Sequence, residues 1–418
     1  MERRVSRRGF IKAGVGLAGA TTLSRYLGGL AWGQRPFRIG FATALTGVFG
    51  KDGSLVRDAY ILWKETINAK GGIEVKGRRY PVELVFYDDK SDPTTHAKLV
   101  EKLITEDKVD LLLGGYASPL VFAGSAVSEK YKYPMISGGA SSNKLFERGF
   151  RYYFATLGKA TEEVRGAAEV FTIAEPRPET VAIVAADILF TAQAAEGFKF
   201  YSERAGFKVI HYELFPMALE DYNSLLLKVK RKNPDVLLVG SHVTVSLKVT
   251  RAMKEIDFNP KAVAFSYGPT VPDYIKEMKR DAEYVIAASE WIPSLPYRDD
   301  LFGTARSFAD MYKRRFGREP DYVEAAAAAG ALAQQVAIER AEVAPPVTPE
   351  GRERITDQLY RQKLMTFYGM VAFGRDGANA EHPPIAVQVQ DGKLKGVYPK
   401  EMAEAKLRYP MPPWKRRV

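Results

Sequence analysis

The chain has 418 residues, 46% hydrophobic and 27% charged, a balance typical of soluble globular proteins and long enough for two domains of ordinary size. It has no cysteine, which excludes a disulfide framework, a thiolate metal site, a cysteine nucleophile and a lipid-bearing cysteine. Of the net charge of +11, Arg3, Arg4, Arg7, Arg8, Lys12 and Arg25 against Glu2 supply +5 near the N-terminus; the rest is scattered apart from Lys415-Arg416-Arg417, which reads as solvated surface rather than a nucleic-acid face.

In chain order, Ser6-Arg7-Arg8-Gly9-Phe10-Ile11-Lys12 precedes a weakly hydrophobic Gly/Ala stretch, Ala13–Ala20. Paired Arg7 and Arg8 ahead of such a stretch resemble a bacterial twin-arginine export signal. Ser24-Arg25 interrupts the apolar run, leaving it short of the ~20 residues a bilayer span needs. Cleavage after Ala20 and after Gly33 are both open. Gly14-Val15-Gly16-Leu17-Ala18-Gly19 matches a dinucleotide fingerprint, but no strand precedes it, so the nucleotide reading fails on context.

From Phe37 short apolar runs alternate with amphipathic stretches. Phe37–Ala42 reads as a strand, followed by a Gly-rich loop, Thr46–Gly53. A helix then places Val56, Tyr60, Trp63 and Ile67 on one face, with Gly71-Gly72 as its left-handed end. Val82–Tyr87 is the next strand, Asp92-Pro93 caps the next helix, and Val109–Leu113 is a strand again. Ser118-Pro119 repeats the capping device and Pro134–Ser137 closes the run. The rhythm restarts after residue 156. Strands are expected at Thr180–Ala185, Phe207–Leu214, Asp235–Val239, Ala262–Phe265 and Tyr284–Ala288, with helices at Ala192–Ala205, Tyr222–Lys232, Val243–Ile256 and near Pro272–Met278. Helices at about 303–316, 321–341 and 350–362, then strands at 369–373, 385–390 and 394–398, finish the chain. This pattern predicts an α/β protein with two doubly wound parallel sheets.

The chemistry is sparse. The four histidines are far apart, and no metal-binding or nucleophile-base pattern links them. Neither a metal nor a cofactor is expected. Asp88-Asp89 reads as a loop with capping and turn roles. In open parallel sheets ligands bind beyond the carboxyl ends of the strands. Here those loops are Leu45–Gly53, Gly114–Ser118 and Gly138–Ser142. Their glycines would let a ligand approach the backbone. Ser118 and Ser141, placed at helix starts, would offer hydroxyl and N–H groups to a carboxylate; the alternative is that both serines merely cap helices.

Ile39-Gly40, Leu45-Thr46-Gly47, Ile67-Asn68-Ala69-Lys70-Gly71-Gly72-Ile73, Tyr87–Pro93, Ser137–Ser142, Asp221-Tyr222, Asn233–Val236 and Thr366–Gly369 follow one another as blocks. In that order they resemble the leucine/isoleucine/valine-binding family, periplasmic solute receptors of ABC importers. The resemblance covers roughly residues 37–400. It implies a type I periplasmic-binding fold, two lobes joined by three crossovers near residues 156, 289 and 369 around a cleft. The expected boundaries are 1–33 for the signal, 34–155 plus 290–368 for lobe I, and 156–289 plus 369–418 for lobe II. By position, Ser118 with Gly139, Ala140 and Ser141 would hold a ligand carboxylate, and Phe49 and Tyr116 would line the first lobe. Phe190, His242 and Tyr267 would reach the ligand from the second. Amino-acid-binding members place an acid near Phe265–Gly268, and none stands there, which leaves Glu290 or Asp187 as substitutes. The aromatic set, with Trp291, would suit an apolar or aromatic carboxylate. The resemblance thus implies a non-enzymatic, monomeric, periplasmic receptor that delivers its ligand to a membrane permease with a cytoplasmic ATPase. A ligand-sensing receptor domain and a two-lobed hydrolase are the rival readings.

Overall fold

A computed structural model describes residues 35–381 and 383–417. The twin-arginine segment and both cleavage points lie outside the described residues.

The first sheet comprises β1 (Phe37–Thr43), β2 (Val82–Asp88), β3 (Leu111–Leu113), β4 (Met135–Ser137) and β5 (Tyr153–Ala155), all parallel in the order β2-β1-β3-β4-β5. The second comprises β6 (Thr180–Ala186), β7 (Lys208–Phe215), β8 (Val236–Gly240), β9 (Ala262–Phe265) and β10 (Ile286–Ser289), again parallel in the order β7-β6-β8-β9-β10. Two antiparallel strands, β11 (Ile385–Gln390) and β12 (Lys393–Tyr398), extend it beyond β10. The inner strands β3, β4, β8, β9 and β10 are buried along their whole length, as strands covered on both faces must be.

The first crossover leaves β5 and reaches β6 through the short helices Ala160–Glu163 and Arg165–Glu169. After β10 the chain forms three helices, Ala305–Phe316, Tyr322–Ala341 and Pro349–Arg361. The second of these packs on helix Gly50–Ala69 and on β4. A small hairpin, Leu364–Thr366 with Gly369–Val371, precedes the return to the second sheet. The buried alanines Ala325–Ala329 let that helix lie against the loop after β4. A Cβ on Gly138 would stand 2.3 Å from the Ala327 backbone. Asp321 and Glu324 form a reciprocal capping box at its start, fixing the orientation of Tyr322.

Gly71 and Gly72 have positive φ, and Asp92 caps Pro93–Thr105 through the Thr95 N–H, both as expected. Ser118 departs from expectation. Ala117 is the N-cap, Ser118 and Pro119 occupy the first turn, and no side chain caps the helix. The third strand begins at Leu111 rather than Val109 because Asp110 is a bracket. Its buried carboxylate accepts from Arg35 Nη1, the Arg38 N–H and the Val347 N–H at 2.9–3.0 Å.

The C-terminal segment straps the second sheet. Gln390 and Gln388 donate to the Lys406 and Arg408 carbonyls, Met411 N–H to Lys261 O, and Trp414 Nε1 to Phe258 O. Arg417, read from composition as solvated, is instead buried. Its guanidinium lies 3.3 Å from the Trp414 ring centre and donates to the Asp281 carbonyl. With Nε, Nη1 and Nη2 each donating, to Pro412 O, Asp281 O and Met411 Sδ, the stacked guanidinium can be buried over an apolar surface.

Candidate functional site

In both sheets the first strand lies between the second and third, so the connections diverge there and open a crevice beyond the carboxyl ends. Phe49 follows β1 and Tyr116 follows β3; Phe190 follows β6 and His242 follows β8. The two crevices meet, and their side chains interlock. His242 has ring centroids 5.1 Å from Phe49, 5.4 Å from Phe190 and 5.6 Å from Tyr116. Tyr267, after β9, meets Tyr322 edge-on at 5.6 Å.

Polar braces hold each loop. Asp88 accepts from the Leu45 and Thr46 N–H groups and the Thr46 hydroxyl, while Ser91 Oγ accepts from the Phe49 N–H. Asp89 is buried against His96 Nδ1 at 2.8 Å. The Asp88-Asp89 pair therefore does the structural work expected of it. The Tyr60 hydroxyl donates to Gly114 O. Ser246 donates to the Tyr267 carbonyl, and Ser266 Oγ accepts from the Ser241 N–H, which sets His242 and Tyr267 side by side. The loop glycines also allow close packing of the loops on one another. A Cβ on Gly115 would meet Ala42 O at 2.0 Å, and one on Gly139 would meet Gly115 O at 2.8 Å.

Between the loops lies a cavity lined by Tyr116, Ser118, Gly139, Ala140, Ser141, Phe190, His242 and Tyr267, all predicted from sequence, together with Leu157, Glu163, Tyr322 and Val323. The space is about 20 Å³, room for a water and little else. Phe49 packs behind the His242 ring and does not line it. Ser118 Oγ accepts from both the Ser141 and Ser142 N–H groups at 3.2 Å. The expected hydroxyl and N–H set is therefore assembled, but turned upon itself.

Several bonds cross between the loops of the two sheets. Tyr116 Oη and His242 Nδ1 are 2.7 Å apart. Gln193 Oε1 accepts from the Ser142 hydroxyl at 2.5 Å and the Asn143 N–H at 2.7 Å. Lys51 pairs with Glu277 at 2.8 Å at the rim. Burial pulls the His242 pKa down to about 3, so the ring is neutral at physiological pH, and its Nε2 has no hydrogen-bond partner.

Neither acid considered from the sequence lines the cavity. Asp187 is exposed. Glu290 is buried but engaged, accepting from the Gly158 N–H at 3.0 Å and the Tyr368 hydroxyl at 2.5 Å. Trp291 donates to the Phe367 carbonyl and packs on Phe308, away from the cavity. It is not part of the aromatic set. The acid in the cavity is Glu163, 2% exposed, with neither carboxyl oxygen hydrogen-bonded. Burial pushes its pKa well above the usual range and repulsion from Glu290 adds to this, while Ser141 works in the other direction. The crossover turn carries Glu163 there. The Ala160 N–H donates to Ser141 O, and the Thr161 N–H to Asn143 Oδ1. In sequence Glu163 follows Glu162, and no motif sets it apart. Glu162 itself is exposed and accepts from the hydroxyl of the buried Tyr201.

Residues 36–393 match the model of a family described as periplasmic binding protein. The Leu/Ile/Val-binding protein homolog 8 of Brucella suis biovar 1 is 26% identical over 421 residues, covering 93% of this chain and 99% of that protein. Among solved structures, the branched-chain amino acid transporter substrate binding protein LivJ from Streptococcus pneumoniae, in complex with isoleucine, superposes with a TM-score of 0.74. It is 20% identical, with 90% of this chain and 100% of that one covered. An ABC transporter solute binding protein from Rhodopseudomonas palustris, in complex with benzoate, superposes at 0.75 with 14% identity, covering 89% and 100%. The fold is the type I periplasmic-binding architecture, two doubly wound lobes joined by three crossovers around a cleft.

Proposed function

Since this chain belongs to the periplasmic binding protein family, we propose that it is the solute receptor of an ABC importer, capturing a small carboxylate-bearing ligand between its lobes. One observation carries the reading. Loops from two separate sheets converge on one buried cavity, with the Ser118 hydroxyl and the Ser141 and Ser142 N–H groups on one side and Phe190, His242 and Tyr267 on the other. Hydroxyl and N–H groups without a competing cation suit a carboxylate, and aromatic faces suit an apolar side chain. Because the present cavity admits only a water, ligand entry requires the lobes to part. The ligand then stabilises whichever closed form it fits better.

The lobes are 34–155 plus 290–368 and 156–289 plus 369–418. Packing of helix Tyr322–Ala341 on helix Gly50–Ala69, and the addition of β11 and β12 to the second sheet, support that division. The receptor works outside the cytoplasm, exported by the Arg7-Arg8 signal, as a monomer that hands its ligand to a permease and takes no part in catalysis or nucleic-acid binding. Among the described residues no helix is long and apolar enough to cross a membrane.

A thermal-shift screen of amino acids, amides, aromatic acids and dicarboxylates on the mature chain tests the reading. At 100 times the dissociation constant a true ligand adds about 2.7 kcal/mol of stability. Failure of every carboxylate to shift the melting temperature would overturn it.

A further inference from the structure

Tyr322 lines the buried cavity and also a second, larger space of about 470 Å³, a volume within the range of pockets that take small molecules. Helix Pro272–Met278, the turn at Gly392 and β12 line it from the second lobe, and Arg306 with residues 319–322 from the first. Ile275, Trp291, Ile292, Pro293 and Leu394 give it apolar surface. Lys276, Arg306, Lys393 and Lys395 line the same space, and among the described residues none of these four has an ion-pair or side-chain hydrogen-bond partner. The acids there are engaged. Glu319 pairs with Lys313 at 2.8 Å, and Glu404 accepts from the Gly396 N–H at 3.2 Å. Asp321 caps its helix and accepts from the Thr270 hydroxyl at 3.3 Å. The second oxygen of Glu319 has no hydrogen-bond partner, which leaves one acceptor for a donor on a ligand.

Four cations around one space repel one another, and the repulsion grows as the lobes close and bring Arg306 toward the other three. An anion among them offsets it, while the apolar surface favours a ligand with a ring or chain to bury. An inorganic anion would leave that surface uncovered, and a neutral hydrocarbon would leave the cations unmatched. We propose that this space is a second binding site, for a small amphipathic organic anion that bridges the two lobes. Contacts with both lobes favour the closed form, so the occupant and the ligand of the buried cavity raise each other's affinity. The coupling rests on the receptor reading above; the site does not.

Fluorescence titration of the mature chain with anilinonaphthalene sulfonate tests this, alongside phenylnaphthylamine, which has the same rings and N–H but no sulfonate. The sulfonate is expected to saturate a single site and to bind about tenfold or more tightly than the neutral amine. Arg306→Glu combined with Lys393→Glu reverses one exposed charge in each lobe. It should weaken the sulfonate about tenfold or more and leave the melting temperature within about 2 °C of the parent's. Saturation with the best carboxylate from the screen should tighten the sulfonate about fivefold. Equal binding of the two dyes by the parent, or a double-variant affinity within about threefold of the parent's, overturns the site. Displacement of the sulfonate by the carboxylate puts the dye in the buried cavity and overturns the site as well. A sulfonate affinity unchanged by the carboxylate overturns the bridging. Binding of no carboxylate overturns the receptor reading, while the dye comparisons still decide the site.

Discussion

Replacing Ser118 by alanine removes one oxygen that accepts two buried N–H groups, those of Ser141 and Ser142, at 3.2 Å each. Both donors sit on residues that are at most 2% exposed, so water cannot replace the lost acceptor. An unmet buried N–H costs about 1–3 kcal/mol. With two long bonds, the loss should be about 2–4 kcal/mol in the stability of the ligand-free protein. The same hydroxyl, turned toward a bound carboxylate, is expected to contribute a further 1.5–3 kcal/mol or so to affinity. Urea denaturation without ligand reads the first quantity, and calorimetric titration with the best carboxylate from the screen reads the second. A variant as stable as the parent within about 0.5 kcal/mol, yet impaired in binding, would show that Ser118 does not knit the two loops together, and the reasoning would fail.

The Tyr116 to His242 bond joins loops of opposite sheets; Tyr116→Phe should remove about 1 kcal/mol from the closed form, roughly a fivefold population shift. Small-angle scattering without ligand should then give a larger radius of gyration, and an unchanged radius refutes the latch. Burial, followed by repulsion from Glu324, raises the Asp52 pKa to about 8, against an unfolded value of about 3.9. Between those values the native chain holds a proton that the unfolded chain has released, so this group makes stability fall as pH rises from about 4 to about 8. Asp52→Asn should flatten that decline and raise the melting temperature most at the alkaline end. A constant offset at every pH speaks against it. Changing Arg7 and Arg8 together to lysine should leave the precursor in the cytoplasm on cell fractionation; normal export of that variant excludes the twin-arginine route.

The sheets were readable because their inner strands are near-continuous apolar runs, and because Asp92-Pro93 and Gly71-Gly72 mark helix ends by local chemistry alone. Tyr116, Ser118 and Ser141 were readable as site candidates for a topological reason, whereas Phe190, His242 and Tyr267 came only from the family resemblance. The first three occupy loops at the carboxyl ends of strands, and strand order decides where those loops meet. Glu163, Tyr322 and Gln193 carried no such mark. Glu163 belongs to a crossover turn and Tyr322 to a helix more than 150 residues later in the chain. The arrival of Glu163 and Tyr322 in the cavity, and of Gln193 beside Ser142, depends on tertiary packing that no local pattern encodes. Ser118 was misjudged for a related reason. A serine before proline suits a helix cap, but a loop from the next strand offered its hydroxyl two better-placed donors.

The strap formed by residues 406–417 ends beside the second sheet at Asp281, whereas Arg35 is clamped to Asp110 beside the first. Dyes attached next to these two anchors would therefore ride on separate halves. Energy transfer between them would become an optical gauge of jaw motion, needing no change inside the ligand pocket.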